Sequence, residues 1–391
     1  MSNERLKVSM DKIGAFLVVA PPFMGLTSGI VDAILMVLGF IMIAFSKRMI
    51  RVPNYLIIWA SVFSSFCLIS YYWSTVTTTV ITTTLSFVQV AIMLFAIVLF
   101  CEKKDDLLFL LKCMIFGGVV FSCYYLITNS IFNRSLDYRL AGSNDISIRL
   151  MMLSVLIFVF RDELGLKIRS FIVVLLFVFV SFLQGSRKGL IILILGLILD
   201  YTLEKRKTKN ISYKMKGLLI VAFLLLFVYF ICMHTALYNT IGIRLEDTFA
   251  FLKEGTAVDA STRDRNLLIE DGIRIWKSNP IVGVGQDNFR YVNSVRYGFY
   301  SHNNFIELLA NLGMIGFTLY YYIYYYGIRK SYHYIRLRKT ETTIAPIIVF
   351  IVFLIIDYMS VSYSSESCFV FLGIAFSCLE LQNKEDFINQ E

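Results

Sequence analysis

The sequence predicts an all-α fold: a polytopic membrane bundle of about 12 transmembrane helices with one large external loop that contains short helices. The first observation is composition, because 57% of the 391 residues are hydrophobic and only 17% are charged, whereas soluble domains carry about 25% charged residues. The second is that the apolar residues fall in runs close to the roughly 20 residues that cross a bilayer. The third is that only residues 234–304 form a long polar stretch.

The apolar runs divide the chain into predicted domains. Spans 1 to 9 fill residues 1–233, the large external loop fills 234–304, spans 10 to 12 fill 305–381, and a cytoplasmic tail fills 382–391. The candidate spans are 13–28, 30–46, 55–73, 79–101, 107–128, 146–160, 168–185, 189–203, 216–233, 305–327, 344–361 and 366–381. Pro21 and Pro22 break the first span, which we expect to be retained because no small-residue cleavage site follows it.

The distribution of Lys and Arg predicts the orientation. Alternate loops on one side carry 23 of these residues and those on the other side carry 12. Because short basic loops stay in the cytoplasm, both termini should be cytoplasmic and the long loop external. The net charge of +9 is then a topogenic signal and an attraction for anionic lipid headgroups, and we expect no nucleic acid partner.

A run of tyrosines from Tyr320 to Tyr326 ends the predicted tenth span, just before Arg329 and Lys330. Tyrosine rings favour the apolar side of an interface and their hydroxyls favour water. The run therefore predicts an aromatic belt at the inner surface.

Metal chemistry is not indicated. The seven cysteines lie in or at the edge of apolar runs, without a C-x-x-C pair, and the three histidines are scattered. Metal sites need such ligands at close spacing. The sequence therefore predicts no metal, disulfide or cofactor.

Arg187 and Lys188 form the tip of a tight hairpin between two apolar runs, on the predicted external side. Two snorkelling cations at an interface are common. Cations nevertheless avoid the external side, and no acid accompanies these two. The pair suits either a plain interfacial role or an anionic ligand.

Residues 261–280 predict an amphipathic helix, with Ser261 or Thr262 as its cap and Asn279-Pro280 as its end. Arg265 shares its apolar face with Trp276 and lies near the helix N-terminus, where a cation gains nothing from the helix dipole. Arg265 therefore needs an anionic partner, which is either an acid of the bundle or a ligand.

Gly283 and Gly285 follow in a turn that allows close backbone approach, but no nucleotide-binding loop is complete here. Next comes His302, with Asn303 or Asn304 as a helix cap and Glu307 near the capping-box position. A histidine with its ordinary pKa near 6.5 can accept a proton at neutral pH. An interfacial histidine bonded to a loop is the alternative.

The order of these motifs resembles the O-antigen ligase and O-antigen polymerase family of bacterial cell envelopes. The resemblance covers about residues 139–316, and it departs from the family pattern at Asp145 and Lys188. The matching motifs are Arg139-Leu140-x-Gly142-x-Asn144, Gly185-Ser186-Arg187, Arg265 fifteen residues before Pro280, Pro280-x-x-Gly283-x-Gly285-x-x-x-Phe289, His302-Asn303-x-Phe305 with Glu307, and Gly313-x-x-Gly316.

The resemblance implies a metal-independent glycosyltransferase that uses a polyprenyl-diphosphate-linked saccharide outside the bacterial cytoplasmic membrane. His302, Arg265 and Arg187 would be catalytic: the arginines would bind the diphosphate with Lys188 and Arg263 beside them, and His302 would orient or deprotonate the acceptor. The supporting residues would be Arg139, Asn303, Glu307, Trp276, Gly283 and Gly285. The implied partners are this donor, a glycan acceptor, membrane lipids, and the chain-length regulator and flippase of the pathway.

Three functions stay open. A polymerase would join repeat units into O-antigen or capsule, whereas a ligase would move finished glycan to a lipid A core or another acceptor. We favour the polymerase because the loop at 234–304 carries eight basic and eight acidic residues, and so has no basic surface for a phosphorylated core. A flippase would carry more charges deep within its spans and an internal repeat.

Overall fold

A computed structural model describes residues 2–25, 29–46, 52–128, 143–165, 167–184, 186–204 and 260–388. Every regular element in these ranges is a helix, which confirms the all-α prediction. The predicted ninth span, 216–233, lies outside the described residues. The helices are α1 Ser2–Val19, α2 Pro21–Met24, α3 Gly29–Ser46, α4 Asn54–Ile69, α5 Thr77–Phe100, α6 Lys104–Thr128, α7 Ser143–Val159, α8 Arg161–Leu164, α9 Lys167–Leu183, α10 Arg187–Glu204, α11 Ala260–Ser278, α12 Phe289–Val292, α13 Asn304–Leu337, α14 Glu341–Met359 and α15 Glu366–Ile388.

Five stretches of the described chain are long and apolar enough to cross a membrane. They are α4 with the 3₁₀ turn that follows it, α5, α6, α13 and α14. The segments Ile30–Ser46 and Arg169–Leu183 are apolar but shorter. Several spans of this kind define a multi-pass membrane protein.

The chain forms two compact units, one of Met1–Phe121 with Leu267–Glu391 and one of Ser122–Asn266. The core of the first unit is aromatic. Phe63 packs on Phe87 at 4.7 Å and on Tyr320 at 5.5 Å between ring centroids. Trp59 donates its indole N–H to the carbonyl of Leu319 at 2.9 Å, so its polar group is satisfied while its ring is buried.

Glycines allow neighbouring helices to approach closely. In the first unit, a Cβ on Gly39 of α3 would lie 2.5 Å from the carbonyl oxygen of Gly14 in α1. In the second unit, a Cβ on Gly196 of α10 would lie 2.4 Å from the side chain of Val155 in α7. Small residues at such contacts let membrane helices gain van der Waals packing.

The first span is broken at Pro21 and Pro22, as predicted. α1 ends at Val19, and Pro21 begins the separate short helix α2. Gly25 ends α2 with φ of 58°, and its N–H donates to the carbonyl of Pro21. Pro21 and Pro22 lack the N–H groups that would continue the hydrogen bonds of α1, so the apolar run is split into two helices.

Most of the predicted tail at 382–391 is helical, because α15 continues to Ile388. Gln382 donates to the hydroxyl of Thr342 in α14 at 2.9 Å, and Asn383 accepts from Tyr334. These partners explain why the polar sequence remains helical.

The two halves of α13 fold back on each other at Gly313, which has φ of 62° and ψ of −165°. A straight helix would place Asn304 and Tyr321 about 25 Å apart. Instead, the Asn304 amide donates to the Tyr321 hydroxyl at 2.9 Å, and Phe305 stacks on Tyr321 at 5.0 Å. Residues 304–312 are therefore a short arm beside the long arm at 314–337, and the predicted tenth span, which begins at Phe305, includes both the short arm and part of the long arm.

The aromatic belt prediction is also wrong for part of the tyrosine run. Tyr320 and Tyr324 are fully buried, and the Tyr321 hydroxyl is hydrogen-bonded inside the protein. Tyr322 and Tyr325 are exposed, as a belt requires. Because α13 continues past the run to Leu337, the tyrosines lie within the helix and not at its end. The buried tyrosines lie on one face of the helix and the exposed tyrosines lie on another.

Candidate active site

The glycine turn at 280–285 is docked on the break in α13. The helix break frees the carbonyls of Ala310 and Asn311, which accept from the N–H groups of Val284 at 3.0 Å and Gly285 at 2.7 Å. In return, the carbonyls of Pro280 and Ile281 accept from Met314 and Ile315. Backbone groups that the break leaves unpaired are thus satisfied by the turn. These contacts explain why the Pro280-x-x-Gly283-x-Gly285 motif and the Gly313-x-x-Gly316 motif occur together in the chain.

Gly283 and Gly285 make this docking possible. Both have positive φ, at 66° and 104°, where a side chain is strained. A Cβ on Gly283 would lie 2.4 Å from the carbonyl oxygen of Asn311, and a Cβ on Gly285 would overlap the hydroxyl of Ser74. The predicted close backbone approach is therefore present.

The turn that carries His302 is fixed by a buried carboxylate. Glu307 is buried in the short arm and accepts from the Ser301 N–H at 2.7 Å and from the Asn311 amide at 3.0 Å. Asn303 caps the arm by accepting from the N–H groups of Phe305 and Ile306. Glu307 therefore lies close to the predicted capping-box position, but it holds the turn before the cap.

His302 itself has a strained backbone and a half-buried ring. Its φ is 59°, a region that few non-glycine residues adopt. The ring lies 4.3 Å from that of Tyr300, between centroids. Strain of this kind persists only where the surroundings enforce it, and it clusters at functional sites. The geometry therefore favours a functional His302.

A buried network that the sequence analysis missed holds the short arm from its other side. The Asn304 side chain accepts from the N–H groups of Ser362 and Tyr363 and donates to Tyr321. Tyr321 in turn donates to Asp357 at 2.9 Å, and Asp357 also accepts from Ser362. An intramembrane acid such as Asp357 is a recognisable signal, but only the fold-back of α13 reveals its partners.

A second missed pair ties the loop to α5. Asp287 lies 2.7 Å from the Arg290 guanidinium and accepts from the Thr83 hydroxyl at 3.1 Å. Burial raises the pKa of Asp287, although Arg290 and Thr83 oppose this effect. The spacing of an acid and a base three residues apart was the available sequence signal.

α11 runs from Ala260 to Ser278, close to the predicted bounds. Its buried face is formed by Leu268, Gly272 and Ile275, which pack towards Phe289 and the short arm. Trp276 lies half-buried at the edge of this face and donates to the carbonyl of Pro280 at 3.3 Å. The helix is amphipathic as predicted, but its buried face includes Ile275, and Trp276 lies at the edge of that face.

The second unit brings two predicted cations close to each other. Lys188 lies in the first turn of α10, and Arg265 lies near the start of α11. Burial and the charge of Arg265 lower the pKa of Lys188 to about 8. Like charges disfavour each other's ionised form, so this arrangement is suited to an anion.

The remaining predicted residues are placed as follows. Arg263 is exposed, two residues before Arg265. Arg187 begins α10, but its side chain lies outside the described part of the structure, as does the whole of Arg139. In the described ranges, no three His, Cys, Asp or Glu side chains are grouped as metal ligands.

The predicted residues thus form two groups. His302, Asn303, Glu307, Gly283 and Gly285 share one connected site in the first unit, and Lys188 and Arg265 share a cationic site in the second. The first group can hold a histidine in a fixed position, and the second can receive a negative charge.

The helical spans define a multi-pass membrane protein, and both groups of candidate residues lie on segments that connect or begin its helices. Residues 172–321 match the family model described as O-antigen ligase. The match confirms the resemblance to the O-antigen ligase and polymerase family that the motifs predicted. No curated protein matches the chain closely enough for comparison.

The match indicates an O-antigen ligase or polymerase type of membrane function, which is that of a glycosyltransferase-like enzyme. It gives no support to the flippase hypothesis. The matched segment includes α10, α11 and both arms of α13 up to Tyr321, and so includes both groups of site residues.

Proposed function

We propose that the protein polymerises polyprenyl-diphosphate-linked oligosaccharide repeats into O-antigen or capsular polysaccharide on the external face of the bacterial cytoplasmic membrane. Undecaprenyl diphosphate is the carrier in this proposal. Both termini lie in the cytoplasm and the loop at 234–304 lies outside. The reaction transfers the growing glycan from its diphosphate carrier to a hydroxyl of the next repeat, and it uses no metal.

The observation that carries the proposal is the pairing of Lys188 with Arg265 in a half-buried environment. Two neighbouring cations repel each other, and a doubly charged anion that binds between or beside them relieves this repulsion. The leaving diphosphate gains negative charge in the transition state, so the same cations also lower the barrier. Arg187, which precedes Lys188, completes the diphosphate site, with Arg263 at its margin.

His302 orients or deprotonates the acceptor hydroxyl. A neutral imidazole can accept a proton from a hydroxyl group. Its turn is held by Asn303 and Glu307, and the docked turn at Gly283 and Gly285 holds the arm. Such support keeps a catalytic group in its productive geometry. Trp276 and Arg139 are supporting residues.

The polymerase is preferred over the ligase because of the acceptor. The predicted external loop carries eight basic and eight acidic residues, which does not suit a phosphorylated lipid A core. Partners other than the donor and acceptor are membrane lipids and the chain-length regulator and flippase of the same pathway.

The test is the length distribution of surface glycan in a deletion strain, together with its lipid-linked intermediates. Loss of long chains with single repeats still on the surface supports the polymerase. Full-length polymer trapped on the carrier, with a bare surface acceptor, would replace it by the ligase. Single repeats trapped on the cytoplasmic side would reject both.

A further inference from the structure

Three exposed aromatic rings lie on the loop between α12 and His302. Tyr297 is 74% exposed, Phe299 is 36% exposed and Tyr300 is 37% exposed. We call Tyr297, Phe299 and Tyr300 the aromatic platform. Exposed rings in one short segment cost hydration free energy, so the segment requires an explanation.

The platform is held rigidly by Asn293, which is itself buried. The Asn293 amide donates to the carbonyl of Phe299 at 3.2 Å and to that of Arg290 at 3.1 Å, and its oxygen accepts from the Arg296 N–H at 2.8 Å. Gly298, with φ of 84°, donates to the Arg290 carbonyl at 2.7 Å. The loop thus presents its rings in a fixed arrangement, which is how a binding surface avoids an entropy cost.

Each ring also has a polar or aromatic neighbour. The Arg296 guanidinium lies 3.8 Å from the centre of Phe299, and Tyr291 packs edge-on against Tyr297 at 5.6 Å. Tyr300 lies 4.3 Å from His302. The platform therefore combines ring faces with hydrogen-bonding groups, and it adjoins the proposed catalytic histidine.

We propose that the aromatic platform binds the saccharide that reacts at His302. The C–H groups on one face of a sugar ring carry partial positive charge and pack on the negative face of an aromatic ring. The hydroxyls at the sugar's rim need donors and acceptors, which the Tyr hydroxyls and Arg296 provide. This inference rests on the proposed function and adds the binding surface for the acceptor.

A membrane-interface role fits the observations less well. Interfacial tyrosines lie at the ends of spanning helices, whereas the platform lies in a loop braced by Asn293. The exposed aliphatic residues Ile281, Met314 and Ile315 cluster instead at the break in α13. They are the better candidates for lipid contact.

The experiment uses the full chain in lipid nanodiscs. The probe is the repeat-unit oligosaccharide released from its carrier by mild acid, and its affinity is measured by saturation-transfer NMR titration. Tyr297→Ala should weaken binding about tenfold and Tyr297→Phe about twofold or less, because stacking needs the ring and not the hydroxyl. The matched control is Tyr332→Ala, since Tyr332 is also an exposed tyrosine but lies near the far end of α13 from His302.

Unchanged affinity of Tyr297→Ala, or no binding by the wild type, overturns the proposal. So does a result in which Tyr297→Ala alters only the thermal stability in nanodiscs, which would indicate a lipid contact. Transfer from the lipid-linked donor is measured on the same preparations. Intact transfer without platform binding rejects the platform alone, whereas platform binding without transfer rejects the proposed function and retains a saccharide site.

Discussion

Gly285 donates its backbone N–H to the carbonyl oxygen of Asn311 at 2.7 Å. This bond joins the polar loop to the helix that carries the His302 turn. Asn311 also accepts from the Phe289 N–H at 2.7 Å through its side chain and donates to Glu307. One residue of the short arm therefore connects the glycine turn, α12 and the carboxylate that holds Ser301.

Replacing Gly283 by alanine should undock this loop. Gly283→Ala places a Cβ 2.4 Å from the Asn311 carbonyl and should cost about 3 kcal/mol from strain and overlap together. The control is Gly165→Ala, because Gly165 has a similar φ of 63° but no atom within 4 Å of its Cβ position, and should cost only about 1 kcal/mol. The unfolding temperature in detergent measures both, and equal losses would show that close approach is unimportant.

Removing Arg290 should leave a buried carboxylate without its cation. Arg290→Ala should destabilise the protein by about 2 kcal/mol, because Asp287 is buried and loses a 2.7 Å ion pair. Asp287→Asn should restore part of the loss in the double variant, since Thr83 can still donate to the amide oxygen.

The same pair gives a pH dependence. Burial already raises the pKa of Asp287, and removal of Arg290 raises it further. A carboxyl group whose pKa is higher in the folded than in the unfolded protein is harder to ionise when folded. Such a group therefore lowers the free energy of unfolding as the pH rises above its unfolded pKa. The deficit of Arg290→Ala should therefore shrink in acid, and a deficit that grows in acid would contradict the assignment. Thermal unfolding at several pH values measures it.

Replacement of His302 should separate stability from activity. His302→Ala should abolish transfer and leave the protein in the membrane at its normal level. His302→Gly should also abolish transfer without lowering the unfolding temperature, because glycine adopts the φ of 59° without strain. Transfer is measured with lipid-linked repeats. Near-normal glycan from either variant would remove His302 from the mechanism.

Arg265 should not tolerate lysine. Arg265→Lys keeps the charge but loses the planar pair of donors that suits a diphosphate, so we expect transfer to fall at least about tenfold. Arg274→Lys is the control on the same helix, because Arg274 is exposed and paired with Asp271. Full activity of Arg265→Lys would favour a purely structural ion pair.

Donor binding should weaken above about pH 8, where Lys188 loses its proton. A bound diphosphate favours the charged form of Lys188, so donor binding above that pH requires the uptake of a proton. The affinity for the donor should therefore fall by at most about tenfold for each pH unit. Lys188→Arg should remove this fall, because arginine stays charged. The affinity of a short-chain prenyl-diphosphate sugar measures both, and an identical pH profile in the variant would exclude Lys188 from the site.

The sequence by itself determined the class of protein, most helix positions and the candidate residues. Long apolar runs and the hydrophobic face of α11 depend only on the residues of each segment, and not on where the segment lies in the fold. The cap at Asn303 and the glycine turn at 283–285 also followed from local backbone chemistry. The order of the motifs alone indicated the family that the chain resembles.

Only the tertiary structure decided which of these segments meet. The fold-back at Gly313 pairs Asn304 with Tyr321 and Asp357, and the docked loop pairs Asp287 with Thr83. Neither pairing follows from any period in the sequence, because one positive φ redirected a continuous apolar helix. The physical reason is that freed backbone groups at the break must find partners, and those partners come from a loop distant in the chain.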